Sequence, residues 1–157
     1  MTAAYNVLFL CTGNSARSIL AEAILNHLGA PRFTAFSAGT RPKGGVHPDA
    51  LALLRDHRLP VEGLRSKSWD EFAQPGAPPL DFVFTVCDSA AREPCPIWPG
   101  RPVSAHWSAP DPSLSNDPQA WLSVYRLFQS RIMVFCALPF EAVGAGALQS
   151  KLQEIGA

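Results

Sequence analysis

Tyr5 to Leu10 is a short apolar, β-rich run, the pattern of a strand buried on both faces. From Ser15 the period becomes helical: Ala16, Leu20, Ala23, Ile24, His27 and Leu28 recur at that spacing, and Gly29 followed by Pro31 ends the segment. Phe33 to Ala38 predicts a second strand, and Pro48 to His57, carrying Leu51 and Leu54, a second helix. A capping-box pattern, Ser68-Trp69-Asp70-Glu71, predicts a short helix ahead of the Pro/Gly-rich stretch Pro75 to Pro79. A third strand is expected over Asp81 to Val86 and a shorter fourth over Val103 to Trp107. Asp117 as N-cap and Pro118 in the first turn open a long helix with Trp121, Tyr125, Phe128, Ile132 and Phe135 on one face. Beyond Pro139 a last helical stretch is expected to run to Ile155.

Strands alternating with helices imply an α/β fold: one domain over residues 1–157, with a four-stranded, parallel, doubly wound sheet and flanking helices. In such sheets the ligand sits beyond the carboxyl ends of the strands. Cys11 follows the first strand, Cys87 the third, and Asp111 lies a few residues past the fourth, so all three are expected to face one crevice.

Composition narrows the function. The 157 residues carry 13 basic and 13 acidic side chains and are 47% hydrophobic, which argues against a disordered chain and against a nucleic-acid binder driven by bulk charge. No apolar run approaches the ~20 residues of a membrane span, and the first residues lack a basic signal region. A soluble, cytoplasmic monomer with no nucleic-acid or membrane partner is expected. Four cysteines, Cys11, Cys87, Cys95 and Cys136, are few for a disulfide scaffold, so their thiol chemistry is the question. Cys136 falls on the apolar face of the long helix and reads as core. A zinc site from Cys87, Cys95 and His106 lacks a C-x-x-C pair, and His27, His47 and His57 show no metal spacing.

The segment Cys11-Thr12-Gly13-Asn14-Ser15-Ala16-Arg17-Ser18 sets a thiol, a turn and a guanidinium between a strand end and a helix start. A helix N-terminus offers unpaired N–H groups and partial positive charge, which hold a tetrahedral oxyanion and favour a thiolate. Gly13 and Asn14 are expected to take positive φ values that turn successive N–H groups inward. Arg17 can hold two oxyanion oxygens with its planar fork. Cys11 is therefore expected to titrate below the ~8.5 of an ordinary thiol.

This loop, with Ser37-Ala38-Gly39-Thr40 and the Asp111-Pro112 pair, resembles the low-molecular-weight protein tyrosine phosphatase superfamily, including its arsenate reductase branch. The resemblance covers nearly the whole chain. It implies Cys11 as nucleophile, Arg17 as oxyanion ligand, Asn14 and Ser18 as the residues that shape the loop and stabilise the thiolate, and Asp111 as general acid. It also places Asn14, Glu22 and Ser37 where some reductases of the family hold potassium. The further carboxylate of those sites is replaced around Ser68, so no metal is expected.

Reducing arsenate takes two electrons, hence a second thiol must reach the first. The segment from Phe84 to Pro96, with Cys87 and Cys95, resembles the redox segment of the reductases, its cysteine pair one residue further apart. A Cys11/Cys87/Cys95 relay is implied, with no bound cofactor and an external reductant, either thioredoxin or glutaredoxin with glutathione. The family's phosphatases carry aromatic residues after the Asp-Pro pair, whereas this chain reads Asp111-Pro112-Ser113-Leu114. Trp98 and Trp107 could still line a ring pocket, so a phosphatase acting through a Cys11 phosphocysteine is the alternative. A third reading is an oxyanion-binding module without turnover.

Overall fold

Both faces of β1 (Tyr5–Cys11) are apolar, and the strand accordingly lies inside the sheet. The structure, a computed structural model, describes residues 4–92, 98 and 102–157. β2 (Phe33–Gly39), β3 (Phe82–Thr85) and β4 (Val103–His106) complete a four-stranded, all-parallel sheet in the order β2-β1-β3-β4. Register sets Cys11 beside Gly39, Leu10 beside Thr85 and Thr85 beside His106, so the strands end along one edge. This is the α/β architecture the strand–helix alternation predicts.

The helices are α1 (Arg17–Gly29), α2 (Pro48–Asp56), the short α3 (Asp88–Arg92), α4 (Pro118–Cys136) and α5 (Ala145–Gly156). Asp117 caps α4 by accepting from the Gln119 amide at 2.9 Å, with Pro118 in the first turn. Two expectations need correcting. Only half of the capping box forms: Ser68 accepts from the Asp70 amide, but the Glu71 carboxylate turns to Arg65, and the element is one 3-10 turn, Trp69–Phe72. The last helical stretch is divided, because an extended Val143 and Gly144 separate a 3-10 turn at Phe140–Ala142 from α5.

The two faces of the sheet are covered unequally. Val7, Phe9, Phe82 and Phe84 meet the buried side chains of α1, α4 and α5. Phe135 is the hub of this face, its ring 5.0–5.8 Å from those of Phe33, Phe82, Phe84, Trp107 and Phe140. Leu8, Leu10, Ala38 and Val83 on the opposite face are closed by Phe72, Leu80 and the Trp69–Trp98 pair, with no long helix in that cluster.

Phe135→Ala is expected to cost about 3–5 kcal/mol in urea unfolding, since the five surrounding rings are held on β2, on β3, just past β4 and in the Phe140–Ala142 turn and cannot close the void. A loss below about 1 kcal/mol would show that the face collapses freely around it.

Candidate active site

The loop between β1 and α1 is shaped by what takes its carbonyls. The Cys11, Thr12, Gly13 and Ser15 oxygens accept from the amides of Thr40, Arg41, Lys43 and His47 at 2.8–3.1 Å, and Gly13 O accepts also from the Ser66 hydroxyl. A planar trans peptide points each N–H opposite to the preceding C=O. The N–H groups of Thr12, Gly13, Asn14 and Ala16 are thereby turned away from that bracing segment, and the Thr12 amide donates to the Cys11 sulfur. Ala16, the N-cap of α1, supplies no capping side chain, which leaves the helix start to an outside acceptor. Gly39 is required where β2 meets the loop, because a Cβ there would lie 2.4 Å from the Thr12 oxygen.

Of the two expected left-handed residues only Asn14 is one, at φ 47°. Its fully buried amide group donates to the Ser18 and Ser37 hydroxyls at 2.8 and 2.9 Å and accepts from the Lys67 amide at 2.9 Å. Those bonds hold a conformation that a non-glycine residue otherwise avoids. Gly13 instead makes room for the Lys43 stem, whose Cε lies 3.1 Å from where a Cβ would sit.

Cys11 and Cys87, both buried, are hydrogen-bonded to one another, and Thr12 Oγ1 lies 3.3 Å from Cys87 Sγ. The pair shares one negative charge. The bond to Cys87 and then burial push the Cys11 thiol up, against the Arg17 guanidinium. The bond from Cys11 draws Cys87 down to about 5 against its burial, with further help from the Thr12 hydroxyl, the Ala90 amide and Arg17. The expected low titration of Cys11 is therefore not what this surrounding favours: beside Cys87 the Cys11 thiol is pushed up and the Cys87 thiol drawn down. The expectation considered the loop alone and missed a neighbour contributed by another strand.

Arg17 reaches across the mouth, donating to Ala109 O at 3.0 Å, with Nη2 3.7 Å from Asp111 Oδ2. Asp111 Oδ1 accepts from the Ser113 amide and hydroxyl at 3.0 and 2.7 Å. Burial raises the Asp111 carboxyl, but the Ser113 bonds, Arg17 and Lys43 outweigh it and hold the group below the ordinary carboxylate value. Arg17, Cys87, Asp111 and Leu114 line one open crevice of about 500 Å³, with Cys11 buried beneath. The carboxyl-edge placement therefore holds, except that Cys11 does not itself line the opening.

None of the described residues lining the crevice is aromatic, and Leu114 stands 86% exposed at its lip. Trp107 cannot form a ring wall: it is fully buried, stacked on Phe84 at 3.9 Å and bonded through Nε1 to Leu152 O. Trp98 is committed to Trp69 on the far face of the sheet. His106 places its two ring nitrogens against Thr85 and Asp88, and no metal-binding cluster occurs among the described residues. Cys95 lies outside the described residues. Cys136 is half-buried, and no described helix is long and apolar enough to cross a membrane.

Asn14, Ser37 and Glu22 do come together: the Ser37 hydroxyl donates to Glu22 and accepts from Asn14. Beside them stands Lys67, with its Nζ donating to Ser37 O at 2.7 Å and Arg65 O at 2.9 Å. Lys67 and Lys43 are the functional candidates the sequence reading missed. Each sits in a Pro/Gly-bearing connection where a lysine looks like an ordinary solvated charge.

Residues 6–138 match the family model described as low molecular weight phosphotyrosine protein phosphatase. An arsenate reductase of Oceanobacillus iheyensis is 32% identical over 128 residues, covering 80% of this chain and 88% of the relative. A glutaredoxin arsenate reductase of Synechocystis is 29% identical over 126 residues, with coverages of 80% and 88%. Among solved structures, an arsenate reductase in a phosphate-binding state aligns with a TM-score of 0.72 at 25% identity, over 85% of this chain and 97% of that one.

Iodoacetamide labelling against pH, resolved by peptide mass, is expected to place the Cys87 midpoint near 5 in the ligand-free protein. Cys11→Ala should raise that midpoint by removing the donor, and Cys87→Ala should lower that of Cys11. A wild-type Cys87 midpoint above ~8, the ordinary thiol range, would overturn the shared-charge assignment.

Proposed function

The chain belongs to the low molecular weight phosphotyrosine protein phosphatase family, on its arsenate reductase branch, and from this premise we propose that it reduces arsenate to arsenite. The observation that carries this reading is the second buried thiol, Cys87, its Sγ 3.3 Å from Thr12 Oγ1 in the residue next to Cys11 and beside an oxyanion loop. Hydrolysis of a phosphate ester needs one thiol; a two-electron reduction needs two.

Arsenate is held by the inward N–H groups of Thr12, Gly13, Asn14 and Ala16 and by Arg17, which leaves Ala109 O and Asp111 to reach it. The arriving dianion offsets the Arg17 and Lys43 charges that keep Asp111 ionised, so the carboxyl takes up a proton in the complex. Cys11 passes its proton to Cys87 and attacks arsenic through sulfur. The departing hydroxide takes the Asp111 proton and leaves as water. Cys87 then attacks the Cys11 sulfur. The arsenic–sulfur bond breaks with its electron pair on arsenic, the Cys87 proton ends on the released arsenite, and a Cys11–Cys87 disulfide remains. Two thiols have supplied the two electrons that take As(V) to As(III). Cys95 attacks Cys87 next, moving the oxidised pair to Cys87–Cys95, where thioredoxin, or glutaredoxin with glutathione, reduces it. No bound cofactor takes part.

Arsenate incubated with thioredoxin, or with glutaredoxin and glutathione, is expected to yield arsenite, with only weak phosphate release from phosphotyrosine because the crevice has no aromatic wall. Cys87→Ser should abolish arsenite formation while phosphate binding persists. Fast phosphotyrosine hydrolysis without arsenite would establish the phosphatase reading instead.

Cys95→Ser is expected to complete one turnover and then accumulate a Cys11–Cys87 disulfide, visible by mass spectrometry of a non-reduced digest. Turnover of that variant at the wild-type rate would make Cys95 a bystander, with the external thiol attacking the first disulfide directly.

A further inference from the structure

Lys67 is the one buried ammonium close to the loop, and the chemistry above makes no use of it. Only 9% of the residue is exposed, yet its side chain turns inward to two main-chain oxygens, Ser37 O and Arg65 O. Burying a lysine charge is unfavourable unless oxygen acceptors and an opposite charge compensate it. Both are present: the two carbonyls bind it, and the Glu22 carboxylate acts on it electrostatically. Glu22 in turn accepts from Ser37, and Ser37 accepts from Asn14. The Lys67 main chain closes the circuit by donating to Asn14 Oδ1 and accepting from the Gly39 amide at 2.8 Å. Side chain and backbone of one residue thus meet at the left-handed Asn14.

A free cation does not fit this arrangement. The place beside Ser37 and Glu22 that potassium would take, as the resemblance implies, already holds an ammonium with oxygen partners. We propose that Lys67 is a built-in cation: its charge, bound to Ser37 O and Arg65 O beside Glu22, positions Asn14 and keeps the anion loop formed without a metal ion. The inference rests on residues 11–18 forming an oxyanion loop and is independent of the redox chemistry that follows. Lys67 acts through Asn14, which makes it a positioning residue rather than a catalytic one.

The test uses inorganic phosphate as probe, with its Kd measured by calorimetry at fixed ionic strength in potassium chloride and in choline chloride. Wild-type protein is expected to bind phosphate equally in both salts. Lys67→Ala should bind about tenfold more weakly in choline chloride, as expected when buried acceptors lose a charged donor. Potassium or methylammonium should return most of that loss, because the vacated place keeps its oxygen acceptors, Ser37 O and Arg65 O, beside Glu22. Lys67→Met, which fills the space without charge, should bind weakly in either salt. A packing role alone would be rescued by Met and not by a cation.

Wild-type affinity that rises with potassium would overturn the inference without any variant. Unchanged affinity of Lys67→Ala in choline chloride, or a loss that no cation restores, would also overturn it. If Lys67→Ala folds only in potassium chloride, thermal unfolding reports the same rescue and supports it; a variant unfolded in both salts counts against it. Failure of the wild-type protein to bind any phosphate would instead remove the oxyanion-loop reading, whereas absence of arsenite with phosphate binding intact would touch only the redox function.

Discussion

Whatever takes the carbonyls of residues 11–15 decides where the donors between β1 and α1 point. The bracing amides of Thr40, Arg41, Lys43 and His47 engage those carbonyls from one side. Peptide planarity then commits the N–H groups to the other. Donors gathered on one side of a loop at a helix start favour an acceptor with several oxygens. The donors are in place before the ligand arrives, and little reorganisation is required when negative charge enters. Gly39 allows the strand to pass close enough for the brace, and Asn14 supplies the one backbone conformation that completes the turn.

Upon this scaffold the two sulfurs divide their duties. The surroundings of the pair favour charge on Cys87, which the Thr12 hydroxyl and the Ala90 amide help to hold. Cys11 is pushed toward the thiol, the less reactive form toward stray electrophiles and oxidants. A substrate that draws on Arg17 and the loop donors changes the balance of fields on both sulfurs. In the proposed reaction, nucleophilicity therefore develops at Cys11 only where an oxyanion is held.

The sheet was legible because its evidence is periodic: the two-faced run in β1 and the four-and-three spacing of Trp121 to Phe135 need only neighbouring residues to be understood. The Cys11-to-Arg17 spacing was legible for a similar reason, since strand, turn and helix start are contiguous. What escaped depends on contacts between distant segments. Glu71 completes the local capping pattern, yet Arg65 offers it a full opposite charge. The direction of the Cys11 titration depends on Cys87, which β3 delivers from far along the chain. Lys67 has no local pattern at all; its meaning comes from Ser37 and Asn14.

The unequal covering of the sheet separates two kinds of resilience. Global unfolding must dismantle the aromatic face around Phe135, where four of the five ring neighbours lie on strands or on their continuation into Trp107. The α3 segment that follows Cys87 is one short turn with Ala90 as its buried residue, and it is latched by Asp88 to His106 and Ser108. Opening such a unit breaks a few polar contacts and little apolar packing, so it proceeds on its own free-energy scale, well below that of the whole molecule. Thermal robustness and the local opening of the segment after Cys87 are therefore separately adjustable traits: a better-packed aromatic face would raise the melting temperature and leave the tempo of that opening where it was.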